Sequence, residues 1–317
     1  MRRVPASLAT ALARGVVALD GGLSTELEAA GHDVSTRLWS ARLVEQDPAA
    51  VVAAHTRFFA AGARVATTAS YQVSAQGFAA AGLGADAADR SLRRSVALAQ
   101  DARDRSGLTC SAWVAGSVGP YGAVLADGSE YTGAYAGAGG LDLAALRRFH
   151  RPRLQALADA GADVLACETL PAALEVEALL LELAEVDVPA WVSLTTQVDA
   201  AGTVRTRRGE RAEEVFALLR DAPCVVAAGV NCLAPGDVAP AVTAASASGR
   251  PVVVYPNSGE RWDARRREWA GDPRLVPSDV QAWVDGGARL VGGCCRVGPE
   301  LLADLVRRLP AGSVAPG

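Results

Sequence analysis

The chain has 317 residues, half of them hydrophobic and 21% charged, with a formal net charge of −4. That composition supports a large core and excludes a disordered chain, and the slight negative charge gives no basis for binding nucleic acid or an anionic membrane. No apolar run approaches the roughly 18 residues of a membrane-spanning helix.

The start of the chain faintly imitates a signal peptide, but Leu8 and Leu12 stand at helical spacing. A short covering helix is expected there rather than secretion. Strand-like and helix-like segments then alternate to the end. A first strand over 16–19 ends on Asp20-Gly21-Gly22, and Asp47-Pro48 opens a helix, the Asp as N-cap and the Pro in the first turn. Val51, Phe58 and Gly62 share one face of that helix, with His55 beside them as a packing residue. The second strand is expected over 64–68 and its helix over 86–105. Strand three, over 112–116, opens a glycine-rich loop with Tyr121, Tyr131 and Tyr135, followed by a helix over 142–160. Strand four, over 163–167, leads into Glu168-Thr169 and a helix over 172–185. Strand five spans 190–195, with a helix over 210–220. Strand six, over 224–230, ends on Asn231-Cys232 before a helix near 237–247. Strand seven, over 252–255, opens a second long loop with Trp262 and Trp269. A helix over 278–285 carries Ser278 and Gln281 at capping-box spacing, strand eight spans 289–292, and Pro299 begins the last helix.

Eight β-then-α units without linkers, their strands apolar on both faces, predict one (β/α)8 TIM barrel domain over 1–317. A doubly wound open sheet is the alternative, weakened because no G-x-G-x-x-G follows any strand.

In such a barrel the chemistry sits at the C-terminal ends of the strands. Asp20, Thr68, Glu168, Cys232, Cys294 and Cys295 all fall there. Adjacent cysteines point to opposite faces of a regular strand, so Gly292-Gly293 is expected to break strand eight and turn both sulfurs to one point. Two readings of Cys232, Cys294 and Cys295 stand side by side: a three-thiolate zinc centre with an open fourth position, or small buried hydrophobes. Their convergence on one rim favours the metal. Cys110 and Cys224 lie at the wrong end and Cys167 faces away from Glu168, so all three are expected to be structural. Six cysteines without framework spacing fit a reducing cytoplasm.

The absences sharpen this reading. All 31 basic residues are arginine, which excludes Schiff-base and pyridoxal-phosphate chemistry and the phosphate-binding loop with its lysine. With three histidines, sulfur must do most of the holding of any transition metal. A thiolate-rich zinc is a poor Lewis acid for hydrolysis and suits instead an incoming thiol, whose free pKa of about 8.5 leaves it mostly protonated at neutral pH. The expected reaction is attack by sulfur on carbon. Asp20 and Glu168 could act as an acid–base pair or hold a ligand's ammonium group; with no histidine partner, the second role is favoured. Trp39, in the loop above strand one, could face a cationic donor or simply anchor that loop.

Taken together, Asp20-Gly21-Gly22-Leu23-Ser24-Thr25-Glu26-Leu27, Gly116-Ser117-Val118-Gly119-Pro120-Tyr121-Gly122, Cys167-Glu168-Thr169-Leu170-Pro171, Gly229-Val230-Asn231-Cys232, Val254-Tyr255-Pro256-Asn257-Ser258-Gly259-Glu260 and Gly292-Gly293-Cys294-Cys295-Arg296 resemble the homocysteine S-methyltransferase family. The match is nearest the bacterial and plant enzymes that use S-methylmethionine, and it covers nearly the whole chain. The resemblance implies a (β/α)8 barrel, zinc held by Cys232, Cys294 and Cys295, and the homocysteine sulfur as fourth ligand. It also implies that Asp20 and Glu168 hold the homocysteine ammonium, that Thr68 lies by its carboxylate, and that Trp39 lies by the methyl donor. The implied partners are L-homocysteine and a sulfonium, S-methylmethionine or S-adenosylmethionine, giving methionine. Betaine-using relatives carry a longer C-terminal extension, cobalamin-dependent synthases carry further domains, and selenocysteine remains open as an acceptor. From other classes, a zinc hydrolase or a non-catalytic zinc and thiol-binding protein would fit the same residues less well.

Overall fold

The computed structural model describes residues 6–34, 40–263 and 268–310. Eight parallel strands form one sheet: β1 (Val17–Ala18), β2 (Val65–Thr67), β3 (Trp113–Val118), β4 (Val164–Leu170), β5 (Ala190–Leu194), β6 (Val225–Asn231), β7 (Val252–Tyr255) and β8 (Ala288–Val291). Each pairs with its neighbour in sequence, and β8 pairs with β1 through Val17 opposite Leu290. A parallel bridge between Leu19 and Val65 joins β1 to β2 and closes the ring. The expected (β/α)8 barrel is present, with its outer helices at Pro48–Ala60, Ala85–Arg105, Leu143–Asp159, Ala173–Leu183, Ala212–Ala217, Val238–Ala245, Val280–Asp285 and Pro299–Val306.

Period-two alternation explains how these strands serve two cores. Val164 and Ala166 of β4 join Trp113, Trp191, Ala227, Val253 and Leu290 inside the barrel. Leu165 and Cys167 face outward and pack under the helices with Val114, Val192, Ala228 and Val254. The covering helix expected at the start is Leu8–Arg14; Leu8 and Leu12 plug the N-terminal mouth, and the Trp113 indole donates to the Ala6 carbonyl at 3.0 Å. Asp47 caps its helix by accepting the Ala50 N–H at 3.1 Å. His55 is fully buried there, and burial lowers its pKa to about 4, which keeps it neutral.

Several expectations are corrected. Segments left outside the expected strands and helices contain short helices at Leu23–Ala29, Ser40–Gln46, Ala75–Ala80 and Tyr121–Leu125, and hairpins pairing Thr196–Val198 with Val204–Thr206 and Arg261–Asp263 with Glu268–Ala270. The capping box at Ser278 and Gln281 does not form: Pro277–Asp279 is a single 3-10 turn, Asp279 precedes the helix, and Gln281 instead donates to Asp285. Cys110 is exposed rather than packed in the core, whereas Cys167 is fully buried. No described helix is long and apolar enough to cross a membrane.

Candidate active site

The C-terminal mouth of the barrel opens into a cleft of about 130 Å³, and every described site residue named from the sequence lines it: Asp20, Thr68, Glu168, Cys232, Cys294 and Cys295. Trp39 lies outside the described residues.

Both Gly292 and Gly293 are required by close approach. A Cβ on Gly292 would stand 2.5 Å from the Asp20 carbonyl, and one on Gly293 would stand 2.2 Å from Cγ1 of Val297. Without those carbons the chain can leave β8 and crosses to its neighbours: Gly293 N–H donates to the Asp20 carbonyl, Cys294 N–H to the Pro256 carbonyl and Cys295 N–H to Oδ1 of Asn257. Cys232 reaches the same point by a different route, leaving β6 in the left-handed region at φ 55°.

The three sulfurs form a triangle with edges of 3.5 Å (Cys294–Cys232), 3.7 Å (Cys232–Cys295) and 3.9 Å (Cys294–Cys295). A tetrahedral zinc with Zn–S near 2.3 Å needs S···S edges of about 3.8 Å, so the donor set fits that ion in type and spacing. Among the described residues this is the one cluster of three His, Cys, Asp or Glu side chains able to hold a metal. Hydrogen bonds from Cys294 and Cys295 hold the Cys232 thiol well below its usual range, against the opposing effect of burial. The same sharing holds the other two thiols up. This sharing favours the anion at Cys232 over the other two sulfurs. The Tyr131 hydroxyl lies 3.2 Å from the Cys232 sulfur, brought there by the long loop after β3.

The same cleft is lined by two buried carboxylates. Asp20 accepts the Thr67 N–H at 2.6 Å and the Thr67 hydroxyl at 2.8 Å. Burial raises its pKa to about 8 despite these bonds, and the charge of Glu168 adds to the shift. Glu168 accepts the Ser117 hydroxyl, and burial raises its pKa to about 7. Two desolvated carboxylates facing one cavity are stabilised as anions by a cation placed between them.

β4 presents Glu168 by continuing its alternation, then breaks it: the pairing with β5 shifts register between Cys167 and Leu170, and Thr169 takes φ 62°. Asn231 fixes that residue, accepting the Thr169 N–H and donating to its hydroxyl, both at 2.7 Å. The Thr68 hydroxyl accepts the Ser117 N–H at 3.0 Å and sits 2.7 Å from Ser70 Oγ, which itself donates to the Ser117 carbonyl. Its proton is therefore given to Ser70, and a ligand carboxylate could receive it only if the hydroxyl turned.

Ser117, Asn231 and the sulfur contact of Tyr131 were not singled out from the sequence. Ser117 and Asn231 stand at strand ends on the same rim, which is a usable signal; the position of Tyr131 depends on a long loop and has none.

Comparison with known proteins agrees with this geometry. The homocysteine S-methyltransferase family model matches residues 17–309. Homocysteine S-methyltransferase of Escherichia coli strain K12 is 42% identical, covering 92% of this chain and 95% of that protein. Selenocysteine Se-methyltransferase of Brassica oleracea var. italica is 38% identical over 93% of this chain and 89% of its own length. The crystal structure of the homocysteine methyltransferase MmuM from Escherichia coli, in its metallated form, superposes with a TM-score of 0.81 at 41% identity, over 93% of this chain and 96% of that one. A barrel whose rim gathers three thiols and two buried carboxylates in one cleft, with this likeness along nearly its whole length, belongs to the homocysteine S-methyltransferase family.

Proposed function

We propose that this chain is a zinc-dependent enzyme that moves a methyl group from a sulfonium, S-methylmethionine or S-adenosylmethionine, to the thiol of L-homocysteine. The observation that carries the reading is the convergence of three sulfurs and two buried carboxylates on one cleft. Cys232, Cys294 and Cys295 would hold the metal, and the metallated state of MmuM supports that assignment. When bound there, zinc supplies the positive charge that keeps a substrate thiol ionised at neutral pH.

The chain's own residues do the rest. Asp20 and Glu168 take the homocysteine ammonium, which restores the charge that burial disfavours. That contact fixes the amino-acid end, so the sulfur projects toward the three cysteines. The S–CH3 bond of the donor breaks as the new S–CH3 bond forms. The donor keeps the bonding pair and leaves as a neutral thioether, and the thiol's proton goes to solvent. No general base is needed at the moment of transfer, and most of the acceleration must come from alignment. The cleft's own negative charge also favours a cationic donor over a neutral one.

The likeness to a selenocysteine Se-methyltransferase supports a selenol as a second acceptor, since it would occupy the same place as the thiol. Cys167, Cys224, Cys232, Cys294 and Cys295 form no disulfide, which supports a reducing, cytoplasmic setting. We read residues 1–317 as one functional domain.

The test is direct. Reduced, zinc-loaded protein is incubated with homocysteine and, separately, S-methylmethionine, S-adenosylmethionine or betaine, and methionine is quantified. Formation with a sulfonium and not with betaine is expected; methionine from betaine alone would overturn the donor class.

A further inference from the structure

Homocysteine accounts for Asp20 and Glu168, yet two charged side chains on the Cys232 side of the mouth have no assigned role. Glu130 belongs to the loop after β3 and is 4% exposed. Its Oε2 is buried without a hydrogen-bond partner, and among the described residues no arginine pairs with it. An orphaned carboxylate oxygen in a dry site is costly and calls for a donor or a cation. Its neighbour Tyr131 places a hydroxyl on the Cys232 sulfur, so Glu130 stands one residue from a group that lines the cleft. The charge on Cys232 is close enough to oppose its own, and its charge in turn opposes that of Tyr71, another lining residue.

Arg207 approaches from the hairpin after β5. Its Nε is 3.4 Å from the Thr195 hydroxyl oxygen and its Nη1 is 3.5 Å from Oε1 of Gln197, both weak contacts. Thr195 in turn donates to the Cys232 carbonyl at 3.2 Å. Among the described residues no carboxylate lies within ion-pair distance of Arg207, although Asp237 feels its charge. The two loops meet, since a Cβ on Gly133 would stand 3.4 Å from Cβ of Arg208.

A carboxyl group with an orphaned oxygen and a weakly engaged guanidinium, each near enough for its charge to act on Cys232 and carried by two touching loops, match the head group of an amino-acid zwitterion. We propose that Glu130 and Arg207 form the recognition site for the methyl donor's amino-acid head, Glu130 taking the α-ammonium and Arg207 the carboxylate. This rests on the sulfonium-donor reading above. It separates the two substrates' head groups: homocysteine uses the ends of β1 and β4, and the donor uses the loops after β3 and β5. It also explains how one site can accept S-methylmethionine and S-adenosylmethionine, which share that head and differ elsewhere.

The probes are S-methylmethionine and dimethylsulfoniopropionate, a sulfonium with a carboxylate and no ammonium, used as a substrate or as a competitive inhibitor of the zinc-loaded full chain. Glu130→Gln is expected to raise KM for S-methylmethionine about tenfold, to weaken its calorimetric binding by the same factor, and to leave KM for homocysteine and the constant for dimethylsulfoniopropionate unchanged. Arg207→Gln should weaken both sulfoniums. Glu130→Asp, which keeps the charge, should recover part of the S-methylmethionine affinity, and thermal melts identify a variant that fails to fold. S-Methylmethionine affinity within about twofold of wild type in both Gln variants, or an equal loss for homocysteine, would overturn the site. Wild-type protein that binds homocysteine yet takes a methyl from neither S-methylmethionine nor S-adenosylmethionine would overturn the donor reading and this site with it.

Discussion

The two mouths of the barrel are built from the same strands and obey opposite rules. At the N-terminal mouth Leu8 and Leu12 are each 2% exposed, pack on the barrel interior, and leave the Trp113 indole satisfied by the Ala6 carbonyl. At the C-terminal mouth two carboxylates are buried with raised pKa values, three thiols crowd within 3.9 Å, and Thr169, Cys232 and Arg296 adopt positive φ. One end is closed by apolar packing, and the other holds strained backbone and buried carboxyl groups that a metal and a substrate would relieve. The difference teaches that this fold can separate the residues that keep it folded from those that do chemistry.

The sharpest way to break that division is to remove a sulfur. Cys295→Ser should lower methionine formation by at least about a thousandfold, since losing an outer-shell partner of a metal alone costs about 10- to 100-fold. Zinc content measured by mass spectrometry should fall with it, while the apo-protein's melting temperature stays near wild type. Retained turnover would contradict the ligand assignment. Leu12→Ala tests the opposite mouth. It should cost about 3 kcal/mol of stability in a denaturant titration, with kcat and zinc stoichiometry unchanged; a matching loss of kcat would show that the mouths are coupled.

Glu168→Gln removes one of the two anions facing the proposed ammonium. Homocysteine affinity should weaken by about 2 kcal/mol, the scale of a charge-assisted hydrogen bond, read by calorimetry. Unchanged affinity with slower turnover would indicate an acid–base role instead. The smallest effect is on pH. Because the folded pKa values of Asp20 and Glu168, about 8 and about 7, lie above the ordinary carboxylate range, the folded ligand-free chain binds more protons than the unfolded one between about pH 4 and 8. These groups therefore lower stability as pH rises through that window, and ammonium binding should strengthen through it. Measured with methionine, whose thioether has no proton to lose, affinity should rise about tenfold from pH 6 to 8. A flat profile would sink the ammonium assignment.

How much of this was legible in the sequence follows from which interactions are local. Strand and helix order survives because each unit carries its own period and caps; the Asp47-Pro48 start is where the dipeptide puts it. The rim residues were found because strand ends are topologically fixed, and the Gly292-Gly293 pair marked its own break. What was missed depends on long-range contact. The hairpin pairing 196–198 with 204–206 lacks a tight-turn signature, and nothing local forces it to stand against the loop after β3. The Ser278 capping box lost to Pro277, whose fixed φ begins a 3-10 turn one residue earlier. The Thr68 hydroxyl is occupied by Ser70 and Ser117, a network that only the assembled β2–β3 pair creates.

The left-handed backbone at Cys232 has one more consequence, for anyone wishing to toughen this protein. A non-glycine residue at φ 55° gives up about 1 kcal/mol that glycine would not. Neighbouring Asn231 already spends its side chain holding Thr169, which has the same handicap. A directed-evolution campaign scored only on heat resistance would therefore be drawn toward glycine at these positions and would erase the sulfur along with the strain. Retention of the proposed zinc has to be part of the selection, or the survivors will be sturdier barrels that have lost a sulfur from the rim.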